Sequence, residues 1–96
     1  MYTIKKHTVV LGGHDSWLRV IRTELRGNIR YLGRDERFDP EVIRGAQVIW
    51  VQSNSVSHKR YNVLLSEART YGKTVNYFTC AGTAGCLRQI IQEDKK

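Results

Sequence analysis

Apolar positions along this chain switch between unbroken runs and helical spacing, and the two alternate in a regular order. Thr8-Val9-Val10-Leu11 is a continuous, β-branched run closed by Gly12-Gly13, which predicts a buried strand. Leu18, Ile21 and Leu25 then recur at helical spacing. Asp15 or Ser16 offers a cap and Gly27-Asn28 a stop, so a first helix is expected between them. Ile29-Arg30-Tyr31-Leu32 alternates in part and predicts a second strand, followed by a charged loop from Gly33 to Arg37. Asp39-Pro40-Glu41 combines a cap, a proline at the first helical position and an acid in the first turn, opening a short helix that ends near Arg44-Gly45.

Val48-Ile49-Trp50-Val51 is the most hydrophobic strand. The polar loop from Gln52 to His58 leads to a third helix with Tyr61, Leu64, Leu65, Ala68 and Tyr71 on one face. Gly72-Lys73 stops it, and Thr74–Phe78 reads as a fourth strand. Thr79-Cys80-Ala81-Gly82-Thr83 opens a last helix with Cys86, Leu87, Ile90 and Ile91 inward. The order βαβαβαβα predicts a three-layer α/β/α fold around a four-stranded parallel sheet, Rossmann- or flavodoxin-like. Strands one and three, apolar throughout, belong in the centre; strands two and four carry Arg30 and Asn76 and suit edges, giving the order 2-1-3-4. Ligands of such sheets bind outside the carboxyl ends of the strands, at the switch point between strands one and three.

Length and composition narrow the class without changing this picture. Ninety-six residues form one domain, 1–96, with 1–7 a polar lead-in and 93–96 a fraying tail. No apolar run approaches the roughly 18–20 residues of a membrane helix, and a cytoplasmic location is expected. Cys80 and Cys86 lie too close in sequence for a disulfide to contribute much, which suits a reducing compartment. Self-association is expected, because both sheet edges read as short and the Tyr77-Phe78 strand as exposed.

Charge does change the picture. Sixteen Lys and Arg against nine Asp and Glu give a net charge of +7, which points to anionic partners. Arg19, Arg22 and Arg26 form a stripe opposite the apolar face of the first helix, and Lys59 and Arg60 add to the basic surface. Most such stripes are solvated faces; the alternative is nucleic-acid or nucleoprotein binding.

Three loops gather at the predicted switch point. Gly12, Gly13, His14 and Ser16 sit where a strand meets a helix N-terminus; glycine admits a close ligand there, or merely a tight turn. The dinucleotide three-glycine spacing and the Gly-Lys-Ser/Thr ending of a phosphate-binding loop are both absent, and Asp35 alone is a weak sign of ribose binding. Ser53, Asn54, Ser55, Ser57 and His58 supply hydroxyl, amide and imidazole groups before the third helix, although Ser57 as a cap and Asn54 as a turn residue account for part of this. Thr79, Cys80, Gly82 and Thr83 form a third small-residue turn. His14, His58 and Cys80 are the candidates for a transition metal, or singly for a haem. Paired carboxylates and a Ser/His/Asp arrangement are not found, so binding rather than catalysis is expected.

Several of these pieces, in order, resemble a bacterial family known as domain of unknown function 2325. They are Val9-Val10-Leu11-Gly12-Gly13-His14, Gly27, Ala46-Gln47-Val48-Ile49, Ser55-Val56-Ser57-His58, Tyr61, Gly72-Lys73 and Cys80-Ala81-Gly82-Thr83-Ala84-Gly85. The resemblance spans Thr8 to Ile91 and implies a Rossmann-like fold with Gly12, Gly13, His14, Ser57 and His58 as motif positions. Cys80 departs from the Ser/Gly turn usual in that family, and the family implies no activity. The leading expectation is a module holding a phosphate-containing anion on the N–H groups of Gly13, His14 and Ser57, with Ser53, Ser55 and His58 completing the site.

Overall fold

The computed structural model describes residues 1–32, 39–52, 56–80 and 82–96. Its sheet consists of β1 (Tyr2–Gly12), β2 (Leu25–Leu32), β3 (Val48–Gln52) and β4 (Val75–Tyr77), and its helices are α1 (Asp15–Glu24), α2 (Pro40–Arg44), α3 (His58–Thr70) and α4 (Thr83–Lys95). All strand pairs are parallel and the order is β2-β1-β3-β4, as the apolar runs predict.

Alternation along the strands divides the core in two. On one face Ile4, Val10, Val48 and Trp50 pack against Trp17, Leu18 and Ile21 of α1 and Cys86 and Ile90 of α4. On the other Val9, Leu11, Ile49 and Val51 pack against Ile43 of α2 and Leu64 and Ala68 of α3. Phe78, just past β4, lies on Trp50 with centroids 4.7 Å apart and meets Trp17 edge-on at 5.4 Å, tying α1 to the far edge of the sheet.

Local chemistry explains most boundaries. Asp39 caps α2 by accepting from the Glu41 N–H, with Pro40 at the first position. Ser57 caps α3 by accepting from the Arg60 N–H. The α1 cap differs from expectation: His14 occupies it with extended backbone and no side-chain hydrogen bond, while Asp15 and Ser16 lie inside the helix.

Three expectations fail at the ends of elements. Residues 2–7 are not a lead-in but the first half of β1, where Tyr2, Thr3 and Ile4 pair with Leu25, Arg26 and Gly27. Residues 93–96 do not fray: α4 runs to Lys95, and Asp94 is buried. One end explains the other. The register of β1 slips between Ile4 and Thr8, and the bulge leaves the Lys5 and Lys6 N–H groups pointing off the ladder. The Asp94 carboxylate accepts from both, at 3.1 and 2.9 Å to Oδ1, and from the Tyr2 hydroxyl at 2.8 Å. Lys6 Nζ adds a bond to the Glu93 carbonyl at 3.3 Å.

The third failure is the first helix, which stops at Glu24 rather than at Gly27-Asn28. Leu25 turns directly into β2 and is buried, its N–H still bonded to the Ile21 carbonyl. Gly27, at φ +96°, lies flat against the Ile4 backbone in the ribbon that β2 forms with β1. The β2 edge is therefore eight residues long, not short. β4, with three, is short and exposes Tyr77, but the expected strand from Thr74 to Phe78 is trimmed to Val75–Tyr77 and Phe78 packs inward on Trp50.

Candidate functional site

Parallel strands deliver their following loops to one edge. Gly12, Gly13 and His14 leave β1 there, Ser57 and His58 approach α3 from β3, and Thr79 and Cys80 leave β4. Ser53, Asn54 and Ser55 lie outside the described residues, as does Asp35.

Hydrogen bonding and packing sort these candidates. Gly12 and Gly13 are buried at φ +87° and +102°. A Cβ on Gly13 would lie 2.5 Å from Trp17 Cε3 and 3.3 Å from Leu18 Cγ, so this glycine exists to receive the indole of α1. The side of Gly13 on which a side chain would stand is filled by the protein's own core. His14 and Ser16 stay exposed beside it. Thr79 is engaged twice by Gln89 of α4, which accepts from the Thr79 N–H at 3.1 Å and donates to Thr79 Oγ1 at 2.9 Å. Gly82 caps α4 and Thr83 begins it. Cys80 is exposed, with its side chain against Gly85, where a Cβ would fall 2.5 Å from Cys80 Cβ and 2.8 Å from Sγ. Cys86 donates to the Cys80 carbonyl at 3.3 Å and is a core residue; burial pushes its thiol pKa up. The turn after β4 is thus held largely by its own helix.

His58 is placed differently. It lines a cleft of about 380 Å³ with Val56, Tyr61 and Tyr77, between the first turn of α3 and the end of β4. The Tyr61 and Tyr77 hydroxyls are hydrogen-bonded to each other, with rings edge to face and centroids 6.3 Å apart. That bond, with some burial and the neighbouring Tyr61, raises the Tyr77 pKa, against an opposing pull from Arg69. The Tyr77 phenol in the cleft wall is therefore held in its neutral form. Residues 57–59 are exposed at the helix start above it. Sequence reasoning found His58 and took Tyr61 as part of the α3 face, but missed Tyr77, which it read only as strand surface. Ser57 is a working cap: Ser57→Ala should lower stability by about 1 kcal/mol in urea denaturation without ligand, and an unchanged midpoint would dismiss the cap.

The other constellations separate. Among the described residues no three His, Cys, Asp or Glu side chains stand close enough to hold a metal ion, so His14, His58 and Cys80 do not form a common centre. The basic stripe also dissolves. Arg26 lies in β2 rather than on the helix that carries Arg19 and Arg22. The Arg22 guanidinium covers the Tyr31 ring at 5.0 Å, while burial pushes the Tyr31 hydroxyl pKa up to about 12 against the opposing Arg22 charge. Lys59 and Arg60, on α3, belong to the opposite helical layer from α1. These five residues therefore form no single surface.

A groove of about 440 Å³ beside α2 was not anticipated. His7, Asn28, Arg30 and Glu41 are among its walls, and it shares no residue with the carboxyl-edge loops. Its available signal was the brevity of the helix from Pro40 to Gly45, too short to cover two strands. No protein-family model, curated protein or solved structure matches this chain. Among the described residues no helix is long and apolar enough to cross a membrane.

Proposed function

We propose that this protein is a small binding module that holds an anionic, phosphate-containing ligand at the carboxyl edge of its sheet, in the cleft at the start of α3. The observation that carries this reading is the 380 Å³ cleft itself, in which His58 meets Tyr61 and Tyr77. It lies in the size range of small-molecule sites and combines aromatic wall with few polar groups. The first N–H groups of α3 and the His58 ring are suitable donors to an oxyanion, and the aromatic wall suits the organic part of the ligand. His58 lines this cleft, and Ser57 stands just before it as the cap of α3. The net charge of +7 favours encounter with an anion.

The test is a thermal-shift panel of nucleotides, sugar phosphates and inorganic phosphate on the purified chain. A compound at about 100 times its dissociation constant should stabilise the fold by about 2.7 kcal/mol. His58→Ala should abolish the shift while leaving the ligand-free midpoint in place. A panel in which no phosphate compound shifts the midpoint overturns the reading.

A further inference from the structure

The groove beside α2 has walls of opposite charge. The sheet wall carries His7 of β1 and Asn28 and Arg30 of β2; the helix wall carries Glu41; Val9 and Ala46 form an apolar floor. Its existence follows from chain length. α2 has five residues, about 7.5 Å at the helical rise, and cannot roof both β1 and β2.

The sheet wall is held in place before any ligand arrives. The His7 backbone is fixed from both sides by Gln47, whose Oε1 accepts from the His7 N–H at 3.0 Å and whose N–H donates to the His7 carbonyl at 2.7 Å. The Asn28 side chain donates to the Lys5 carbonyl at 3.0 Å, which leaves its amide oxygen to accept. Arg30 sits opposite Val9 in the β1–β2 register, and among the described residues no carboxylate lies within ion-pair distance of it. Glu41 is shared with Arg44, at 3.4 Å on an exposed surface, a contact of little energy that an incoming cation can replace.

We infer that this groove is a second binding site, for a small zwitterion of the amino-acid type with an apolar side chain. Arg30 and His7 receive the carboxylate, Glu41 and the Asn28 amide oxygen receive the ammonium, and the side chain lies on the Val9 and Ala46 floor. A simple anion is disfavoured by Glu41 and a simple cation by Arg30, so the complementarity selects a molecule bearing both charges. The volume, about 440 Å³, is that of a small-ligand site. This site is independent of the phosphate cleft, and either can fail alone.

The experiment is an amide chemical-shift titration of the whole chain with L-leucine, N-acetyl-L-leucine and L-leucinamide. Leucine should shift the Asn28, Ile29 and Gly45 amides in a saturable way. Each blocked analogue, missing one charge, should bind about tenfold more weakly, the equivalent of one charge-assisted hydrogen bond. Arg30→Gln, at an exposed position, should weaken leucine by a similar factor. Arg44→Gln should tighten it by releasing Glu41. Saturable shifts that are equal for all three compounds, or unaffected by Arg30→Gln, overturn the proposal in favour of an unspecific apolar groove. The absence of any shift at these amides up to the solubility of leucine overturns it outright, as does their response to a short oligonucleotide alone.

Discussion

Replacing Gly27 by alanine is expected to destabilise the fold by about 4 kcal/mol, the sum of left-handed backbone strain and overpacking. Gly27 has φ +96°, and a Cβ there would fall 2.4 Å from the Ile4 carbonyl oxygen, 3.0 Å from the Ile4 N and 2.9 Å from Thr3 Cγ2. Two of those atoms are backbone in the adjacent strand, so relief requires parting β1 from β2. A loss of this size should lower the melting temperature by roughly 20 °C for a domain of this length. Gly72 supplies the control. It also has positive φ, +66°, but nothing lies within 4 Å of its would-be Cβ, so Gly72→Ala should show strain alone, about 1 kcal/mol. Equal losses from the two variants in urea denaturation would mean that β1 and β2 do not meet as closely as described.

Asp94→Ala should cost about 3 kcal/mol, because it strands the Lys5 and Lys6 N–H groups and the Tyr2 hydroxyl in a partly buried place. The same residue sets an acid limb. Burial works against its charge, but hydrogen bonds from the Lys6 N–H, the Tyr2 hydroxyl and the Lys5 N–H, with the Lys6 charge, outweigh it and hold the carboxyl pKa below its ordinary value. As pH falls, the unfolded chain then takes up this proton before the folded one. The contribution is complete above an unfolded pKa of about 4 and disappears as pH drops through the lower folded value. Unfolding followed against pH should show wild-type stability declining below that point, with a shallower decline in Asp94→Asn. Parallel acid limbs in the two proteins would remove Asp94 from the account.

These two residues also mark what the sequence made legible. Periodicity found α1, α3, α4 and at least part of each described strand, because burial on one or two faces writes directly into apolar spacing, while α2 was read from its Asp39-Pro40-Glu41 start. Strand order followed from Arg30 and Asn76 at the edges. The polar string from Tyr2 to His7 looked like a tail because half of it meets solvent and the other half is satisfied by a carboxylate at the far end of the chain; no local pattern signals a partner about ninety residues away. The first helix was overextended for a related reason: Leu25 keeps helical spacing yet is buried as a strand residue.

At the carboxyl edge the residue types were legible but their employment was not. Glycine at 13 and serine at 57 have both structural and ligand uses. The structural one, Gly13 against Trp17 and Ser57 accepting from the Arg60 N–H, depends on tertiary and cap geometry that residue type alone does not fix. Tyr77 joined His58 through tertiary packing alone. The groove beside α2 depends on what a short helix fails to cover, and uncovered surface leaves little trace in apolar spacing.

The reach of Asp94 has a further consequence for how the molecule is made. Its bonds to β1 span 88 to 92 positions. While the chain is being synthesised the opening strand can pair with β2 and β3 well before α4 exists, but its bulge stays unsealed until the last helix has left the ribosome. Closure of the bulge therefore waits for α4, and the ribbon of β1 and β2 must stay soluble in the interval. Arg26, Asn28 and Arg30, exposed along its outer strand, are suited to that interval, since charge on an open strand edge deters pairing with a neighbour.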